Sequence, residues 1–285
     1  MNNVPVLKYP GSKHSLAKWI IGHIPQHDTY CEPFSGSAAV LFAKSRSRME
    51  TINDLSGDVT NFFQVLREQR DELIELIKYT PWAAAEHEIC LQPTDDPIER
   101  ARRFYFRCWA SIRPFAKNPS FRRQKVLSRG RNGDRSPMTT AARQFMRTDH
   151  LHWYADRLRG VGIEQMDGIE LIKLFDYDRA FFYVDPPYPF DTRQNHNLYA
   201  HDGMSNGDHE RLAAALNNID GMAIVSGYAC ELYRDLYEAQ GWRRADRLAR
   251  IDGGKSAVES LWLSPRVAQA LVQERRALPL LLETL

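Results

Sequence analysis

The sequence predicts an α/β fold in which a doubly wound sheet is interrupted by a mainly helical insertion. Three observations predict this fold. The first is that short apolar segments that end in small or acidic residues alternate with amphipathic segments. The second is that this alternation stops near residue 59 and resumes near residue 161. The third observation is an apolar run, FFYV, that ends abruptly in Asp-Pro-Pro-Tyr at residues 185–188. We therefore predict a core domain formed by residues 1–58 and 161–285, with residues 59–160 as an inserted domain.

The composition limits the classes of protein to which the chain can belong. With 285 residues, of which 43% are hydrophobic, the chain can bury a sizeable core. The formal net charge of +2 is too small to indicate a nucleic-acid partner by itself. The four cysteines are scattered without a CxxC pair, so we expect neither a metal site nor a disulfide framework. No apolar run approaches the roughly 20 residues of a membrane span, so we expect a soluble, cytoplasmic protein.

In chain order, the first elements have the pattern of a nucleotide-binding unit. Residues 15–24 carry large apolar residues at helical spacing and predict a helix. The segment DTYCEPFSGSAAVLFAKS then predicts a short strand, a turn of small residues and a helix that begins at about Ser37. METIND predicts a second short strand, and residues 58–79 predict one long helix. A strand, a small-residue turn, a helix, a strand and an acid open a nucleotide-binding α/β unit.

The middle of the chain predicts helices, and the α/β alternation returns after it. PIERARRFYFRCWASIRPF and AARQFMRTDHLHWYADRLRG are amphipathic candidates, whereas residues 117–137 have no clear period. From about Gly162, the segments GIEQMD, AFFYVDPP and GMAIVSGY predict strands, and ESLWLSP predicts a last strand. Residues 207–219 and 231–241 predict the helices between them.

The segment VDPPY predicts a ligand site at the end of a buried strand. Two prolines cannot donate backbone hydrogen bonds, so the strand stops at Asp185 and a rigid turn follows. Ligands of open α/β sheets bind at the carboxyl ends of the strands. There the Asp185 carboxylate and a carbonyl such as that of Pro186 can accept both hydrogens of a planar amine, and Tyr188 can stack on the base that carries it. A strand-ending proline turn without function is the alternative interpretation.

The loop CEPFSGSAAV predicts a second part of the same site. Glu32 stands at a strand end, and the small residues after it let a ligand approach the backbone. Neither GxGxxG nor GK[ST] is present, so phosphate binding is not indicated. Asp54, 22 residues after Glu32, is placed to accept hydrogen bonds from ribose hydroxyls, or alternatively to cap the next helix. Read alone, KYPGSK at residues 8–13 is a surface turn.

The order of these motifs resembles that of the Dam-like (D12 class) DNA adenine methyltransferases. LKYPGSK, EPFSGSAAV, INDLSGDVTNFF, RFYFRCWASIRPF and VDPPYPF follow one another as the corresponding segments of that family do. The resemblance implies a Rossmann-like methyltransferase sheet with an inserted DNA-recognition domain. It also implies transfer of the methyl group of S-adenosylmethionine to N6 of adenine in double-stranded DNA, by base flipping and direct transfer.

The resemblance assigns roles to residues of two groups. Those expected around the target base are Asp185, Pro186, Pro187 and Tyr188. Those expected at the cofactor are Tyr9, Gly11, Lys13, Glu32, Phe34, Ser35, Gly36, Asp54, Asp167 and Asp185. Within them, Tyr9 and Lys13 would contact the methionine part, and Asp167 would lie near the adenine of the cofactor. No metal is required, because the electrophile is the methyl group of a sulfonium.

A basic run between Lys117 and Arg135 is the candidate DNA contact. It contains seven cations and one acid, Asp134. As an isolated charge run it would be a solvated loop. Within the segment that the resemblance assigns to recognition, arginines can neutralise phosphates and read guanine edges. The predicted DNA-binding residues are Arg122, Arg123, Lys125, Arg129 and Arg131.

Three other functions remain open from the sequence alone. The same scaffold can methylate another planar amine, in cytosine or RNA, although a cytosine enzyme more often carries serine in place of Asp185. A catalytically idle DNA-binding module is the second alternative, and the intact Asp185 and Tyr188 count against it. A dehydrogenase is the third, and the phosphate-binding glycines that it needs are missing. A cognate restriction endonuclease is a candidate partner.

Overall fold

The computed structural model describes residues 4–123, 140–189, 203–250 and 256–282. The strands within these ranges are β1 (Thr29–Glu32), β2 (Met49–Asn53), β3 (Ser111–Ile112), β4 (Ser120–Phe121), β5 (Val161–Glu164), β6 (Ala180–Val184), β7 (Met222–Gly227), β8 (Arg243–Arg250) and β9 (Ser256–Leu263). No helix in the described ranges is both long and apolar enough to cross a bilayer.

The helices flank these strands in sequence. They are α1 (Ala17–Ile21), α2 (Ala39–Ala43), α3 (Gly57–Glu68), α4 (Arg70–Tyr79), α5 (Ala84–Cys90), α6 (Pro97–Ala110), α7 (Thr140–Phe145), α8 (Asp149–Arg157), α9 (Gly168–Phe175), α10 (Asn206–Leu216), α11 (Glu231–Leu236) and α12 (Pro265–Leu282).

The chain divides into two compact units. The described part of the first unit is residues 4–12, 56–123 and 140–159, and that of the second is residues 13–55, 160–189, 203–250 and 256–282. The second unit is a Rossmann-like α/β unit, and the first is mainly helical. Residues 4–12 therefore associate with the helical unit, whereas the sequence assigned them to the core domain.

The second unit is built on a seven-stranded sheet with the order β5-β2-β1-β6-β7-β9-β8. Strand β1 pairs in parallel with β2 and with β6, and β6 pairs in parallel with β7. Strand β9 runs antiparallel to both β7 and β8. Every residue of β1, β6 and β7 is buried, as expected for strands that are covered on both faces.

The first unit is organised around the amphipathic helix α6. Its aromatic side chains pack on α3 and α7, with the Tyr105 ring stacked 5.8 Å from Phe62 and lying 5.6 Å from Phe145. Asp58 in the first turn of α3 accepts hydrogen bonds from Arg100 at 2.7 Å and from Arg107 at 2.6 Å. Strands β3 and β4 form a small antiparallel pair beyond α6.

The structure corrects the predicted helices of the first unit. The long helix predicted over residues 58–79 is two helices, because Gln69 leaves the helical region with φ −132° and ψ 39°. The second amphipathic segment is likewise divided, and α7 ends at Phe145 before α8 begins at Asp149. Apolar periodicity continues across both breaks, so the pattern alone did not show them.

Strand β8 was missed by the sequence analysis. Its sequence, RRADRLAR, has neither the apolar run nor the alternation of a half-buried strand. The strand forms the edge of the sheet and most of its described side chains are exposed, so burial did not constrain its composition. The other predicted strands of the second unit are confirmed, with boundaries that differ by a few residues.

Candidate active site

Asp185 lies directly after β6, and both of its carboxylate oxygens are held. Oδ2 is 2.9 Å from the Nζ atom of Lys13, and Oδ1 accepts a hydrogen bond of 2.7 Å from the hydroxyl of Ser226. The Lys13 side chain is 6% exposed and that of Asp185 is 20% exposed. The carboxylate is therefore fixed in orientation and still partly accessible.

The charge of Lys13 is stabilised in this position. Burial alone would lower the pKa of its ammonium group, but the carboxylate of Asp185 and, more weakly, Glu259 raise that pKa above its ordinary value. Lys13 therefore stays protonated at neutral pH.

The Ser226 hydroxyl is itself hydrogen-bonded to Tyr183 on the neighbouring strand β6. Its hydroxyl donates to Asp185, so the contact of 3.0 Å with the Tyr183 hydroxyl is donated by tyrosine. Both side chains are almost completely buried. Strands β6 and β7 pair in parallel with Val184 opposite Val225, which brings Ser226 beside Asp185. The relay from Tyr183 through Ser226 orients the acid from within the core.

The ring of Tyr188 is held at its edge, on one face and at its hydroxyl. Tyr228 contacts it edge-on with ring centroids 4.8 Å apart, and the Nζ atom of Lys13 lies 5.0 Å from its centroid. The hydroxyl donates to Oε2 of Glu259 at 3.1 Å. Tyr188 is only partly buried, so part of the ring surface remains accessible beside Asp185.

The loop after β1 is shaped by two left-handed residues and by Asp54. Gly36 and Ala38 have φ values of 48° and 49°, and the Ser35 amide donates to the carbonyl of Asn53 at 2.9 Å. The Gly36 amide donates to Oδ2 of Asp54 at 2.9 Å. Strand β2 ends at Asn53, so Asp54 is the first residue beyond it. The predicted alternative, a helix cap, is wrong for Asp54, because α3 begins at Gly57 with Ser56 at its N-cap position.

Asn53 ties together the loops that follow three adjacent strands. Its amide nitrogen donates to the carbonyls of Pro33 at 2.8 Å and Met166 at 3.0 Å, and its amide oxygen accepts from the Met166 amide at 2.9 Å. The ring of Phe34 packs directly against Gly168, two residues after Met166. A Cβ atom added to this glycine would lie only 2.7 Å from the ring. These contacts hold the predicted cofactor loop against the ends of β2 and β5.

The side chains of Glu32 and Asp167 both accept hydrogen bonds from backbone amides. Oε1 of the buried Glu32 accepts hydrogen bonds from the Leu41 amide at 2.6 Å and the Tyr30 hydroxyl at 2.8 Å. Asp167 is the N-cap of α9, and its Oδ1 accepts from the amides of Ile169 and Glu170. Both residues were predicted to bind the cofactor, and the contacts seen here shape the backbone around that predicted site.

The burial of Glu32 predicts a pH-dependent contribution to stability. Burial raises the pKa of its carboxyl to about 7, from 4.5. Between these values the folded chain keeps a proton that the unfolded chain has lost, so the free energy of unfolding falls as pH rises, by up to about 3 kcal/mol, and levels off above the folded pKa. We expect Glu32→Gln, which retains the acceptor oxygen, to remove this loss. Denaturant unfolding of the two proteins between pH 5 and 8 (roughly the window set by the shift) measures it.

An exposed glutamate supplies the control for this measurement. Glu170→Gln removes a surface carboxylate and should leave the slope of stability against pH nearly as it is in the parent. If the curves of Glu32→Gln and its parent stay parallel across the window, Glu32 is ionised in the folded protein and our interpretation of its burial is wrong.

In the first unit, Tyr9 and Gly11 occupy a turn. The Ser12 amide donates to the Tyr9 carbonyl at 3.1 Å, and Gly11 adopts a φ of 73° that suits glycine. The Tyr9 ring lies 5.0 Å from that of Phe115. The segment is thus a tight turn, and the predicted contact of Tyr9 with the cofactor stays a prediction.

Two of the five predicted DNA-binding residues lie within the described ranges. Arg122 directs its Nη2 atom to the carbonyl of Ser111 at 3.1 Å, and its own carbonyl accepts from Trp82. Arg123 is exposed. Lys125, Arg129 and Arg131 lie outside the described residues. The arginines of α6 contact acids of their own unit, as Arg102 does with Glu99 and Glu86.

Two side chains of this site were missed by the sequence analysis. Ser226 stands in a strand that was predicted, and only the adjacency of β6 and β7 reveals its contact with Asp185. Glu259 is a charged residue two positions before the apolar run LWL, and this contrast was the available signal. Neither residue is near Asp185 in sequence, so no local motif contains them.

Together, the mainly parallel sheet with its antiparallel β9 and the anchored acid at the end of β6 are consistent with a Rossmann-like methyltransferase. A model of one family matches residues 9–251, and its description is D12 class N6 adenine-specific DNA methyltransferase. The chain belongs to this family, and it is an adenine-specific DNA methyltransferase. The family confirms the predicted fold class and reaction, and it decides against the cytosine and dehydrogenase alternatives.

Curated relatives agree with the family. A Type II methyltransferase, M1.LlaDCHI, from Lactococcus lactis subsp. cremoris is 23% identical over 272 residues, covering 90% of this chain and 92% of the relative. A DNA adenine methylase from Vibrio cholerae is 25% identical over 217 residues, covering 73% of each chain. The X-ray structure of precorrin 8W decarboxylase from Methanobacterium thermoautotrophicum covers 93% of this chain and 99% of its own, but a TM-score of 0.38 and 11% identity carry no argument. Within the described ranges, no group of three or more His, Cys, Asp or Glu residues could hold a metal ion.

Proposed function

We propose that this chain transfers the methyl group of S-adenosylmethionine directly to N6 of an adenine that is flipped out of double-stranded DNA. The observation that carries the proposal is the Asp185 carboxylate, held by Lys13 and Ser226 at the end of β6 and beside the accessible ring of Tyr188. An acid with a fixed orientation next to an aromatic surface suits a planar base that bears an amine.

Asp185 would act on the amine of the target base. The N6 lone pair is delocalised into the purine ring, so the nitrogen needs help to attack an electrophile. Hydrogen bonds from N6 to the Asp185 carboxylate and to the carbonyl of Pro186 would orient the amine and stabilise the positive charge that develops on it. Lys13 and Ser226 prepare this arrangement, because they hold the acid in one orientation before the base arrives.

The residues at the ends of β1 and β2 suit the nucleoside part of the cofactor. Bound S-adenosylmethionine supplies an electrophilic methyl group on a positively charged sulfur. The partly exposed Asp54 carboxylate would accept hydrogen bonds from ribose hydroxyls, and the loop containing Ser35 and Gly36 lets a ligand approach the backbone. The acid at Asp54 and the left-handed Gly36 beside it are the observations that support this fit.

The role of Asp54 predicts a loss of cofactor affinity. We expect Asp54→Ala to weaken binding of S-adenosylmethionine by about 1–3 kcal/mol, because ribose hydroxyls would lose their acceptor. Calorimetry with the cofactor and without DNA measures this change. Asp28→Ala is the control and should bind the cofactor normally. It removes a carboxylate just before β1, at the amino-terminal ends of the strands and so away from Asp54. An unchanged dissociation constant for Asp54→Ala would show that this acid only supports the Gly36 loop.

We also propose that residues 59–160 recognise the DNA. The arginine-rich run supports this, through Arg122, Arg123, Lys125, Arg129 and Arg131. A cognate restriction endonuclease is proposed as a partner because the Lactococcus relative is named a Type II methyltransferase. DNA that this enzyme has modified should then resist one endonuclease whose recognition sequence contains the methylated adenine.

Sequencing of DNA with detection of modified bases tests the proposed function. DNA from cells that express the chain should carry N6-methyladenine within one sequence context, and cells that express Asp185→Ala should lack it. Purified protein with S-adenosylmethionine as the sole methyl donor should reproduce the modification on unmethylated duplex DNA. Methylation of cytosine, or the absence of any modification, would overturn the proposal.

A further inference from the structure

Glu259 is a buried acid beside the predicted base-binding ring. It lies on β9 and is 7% exposed. Strand β9 pairs antiparallel with β7, with Ser260 opposite Gly227, so Glu259 is placed near the end of β7 and Tyr228. Its Oε2 atom accepts the hydrogen bond of 3.1 Å from Tyr188. Antiparallel pairing thus brings a residue from late in the chain to the DPPY turn.

This position is costly for a carboxylate. Ser260 follows it, and the three residues after that serine, Leu261 to Leu263, are buried and apolar. An apolar side chain at 259 would avoid desolvation of a charge. Burial raises the pKa of the Glu259 carboxyl, while Lys13 and hydrogen bonds from the tyrosines at 188 and 228 oppose that rise. The buried carboxylate therefore acts as a hydrogen-bond acceptor for the Tyr188 hydroxyl, alongside its hydrogen bond from Tyr228.

We propose that Glu259 is a positioning residue for methyl transfer, which fixes the ring of Tyr188 in the orientation on which the flipped adenine stacks. The inference rests on the proposed function, in which Tyr188 receives the base. Glu259 has no contact with the reacting atoms and acts through the tyrosine hydroxyl.

The surroundings of Tyr188 explain why its hydroxyl must be held. Lys13 lies over one face of the ring and Tyr228 meets it edge-on, so these two contacts restrict the plane of the ring. The hydrogen bond to Glu259 adds a directional contact that fixes the position of the hydroxyl. With the hydroxyl bound to Glu259, the accessible part of the ring is presented to a base in one orientation. Orientation of this kind lowers the barrier of the chemical step more than it strengthens binding.

A double-mutant cycle tests the proposal. The variants are Glu259→Leu, which removes the acceptor, Glu259→Gln, which keeps an acceptor oxygen, Tyr188→Phe, which removes the hydroxyl and keeps the ring, and the double variant Tyr188→Phe/Glu259→Leu. Single-turnover methyl transfer is measured on a duplex that contains the adenine identified by modified-base sequencing. The dissociation constants of S-adenosylmethionine and duplex are measured in parallel. A duplex with 2-aminopurine at the target position reports stacking of the flipped base by fluorescence.

We expect Glu259→Leu and Tyr188→Phe each to slow methyl transfer by roughly 10-fold, the scale of one lost hydrogen bond to a charged group. The double variant should be no slower than the slower single variant, because both changes break the same contact. Glu259→Gln should stay within about threefold of the parent, because its amide oxygen can accept from Tyr188. The dissociation constants of S-adenosylmethionine and duplex should stay the same as those of the parent. Glu259→Leu and Tyr188→Phe should both alter the 2-aminopurine signal in the same direction.

Ser260→Ala is the matched control on the same strand. It removes the 2.7 Å hydrogen bond from Ser260 to Asp246 and leaves Tyr188 untouched, so it should lower the melting temperature without slowing transfer. Additive effects in the double variant, or a Glu259→Gln variant as slow as Glu259→Leu, would overturn the inference. If Glu259→Leu does not fold, Glu259→Ala, which also removes the acceptor, takes its place in the double-mutant cycle. A parent protein without any adenine methylation would instead contradict the proposed function.

Discussion

Asp185→Ala is expected to slow methyl transfer by at least about 100-fold, the scale of losing one preorganised polar contact in a catalytic site. Both oxygens of this carboxylate are oriented in advance, by Lys13 at 2.9 Å and by Ser226 at 2.7 Å, so the variant loses an acceptor that needs no reorganisation when the base arrives. DNA binding should persist, because the predicted contacts with DNA lie in residues 59–160. Single-turnover transfer of labelled methyl groups measures the rate, and gel-shift titration measures the affinity for DNA.

A second acid of the same unit controls for general damage by Asp185→Ala. Asp176 lies before β6, at the opposite end of that strand from Asp185. Its carboxylate accepts hydrogen bonds of 2.9 Å from the amides of Asp220 and Gly221. Asp176→Ala therefore removes two hydrogen bonds and should lower stability while it leaves the methyl-transfer rate of the folded protein near that of the parent. Near-normal turnover in Asp185→Ala would show that the amine is oriented by other groups.

Lys13→Met is expected to reduce both stability and rate. Removal of one partner from a buried ion pair leaves the other charge uncompensated, at a cost of about 3 kcal/mol in the free energy of unfolding. Methyl transfer should fall by roughly 100-fold, because Asp185 loses one of the two contacts that fix its orientation. In an Asp185→Ala background the same change should be nearly neutral for stability, because no carboxylate is left unpaired. Thermal unfolding and single-turnover rates measure both effects.

A second buried ion pair separates stability from catalysis in this experiment. Lys44 lies 2.7 Å from Glu50, both side chains are almost fully buried, and neither residue was predicted to be in the active site. Lys44→Met should therefore destabilise the protein as Lys13→Met does, with little change in the rate of the folded fraction. Equal losses of rate in Lys13→Met and Lys44→Met would show that Lys13 only stabilises the fold.

Much of the active site could be predicted because its motifs are local. Asp185 and Tyr188 belong to one turn whose prolines end the strand, and the turn can be recognised without knowledge of the rest of the fold. Asp54 was predicted from its place after the second strand, and the structure confirms that it lies at that edge of the sheet. Alternation of apolar strands and amphipathic helices was sufficient for the core of the sheet.

The parts that could not be predicted depend on pairing between distant segments. Ser226 and Glu259 approach the DPPY turn only because β7 adjoins β6 and because β9 pairs with β7 in reverse direction. Strand β8 carries no apolar signal, because an exposed edge strand needs no apolar face. The break at Gln69 follows from its backbone conformation, which hydrophobic periodicity does not determine.

The reversed position of β9 in the sheet has a consequence for biosynthesis. The outer edge of β7 pairs with residues 260–263 of β9, the strand that leaves the ribosome after every other strand of the sheet. Until they emerge, the nascent chain presents β7, an apolar strand with an unpaired edge, which is a template for aggregation. Because the same segment brings Glu259 to Tyr188, the last strand to be synthesised both closes the sheet and completes the surroundings of the DPPY turn. A chain terminated before β9 would be prone to aggregate and would lack this hydrogen bond.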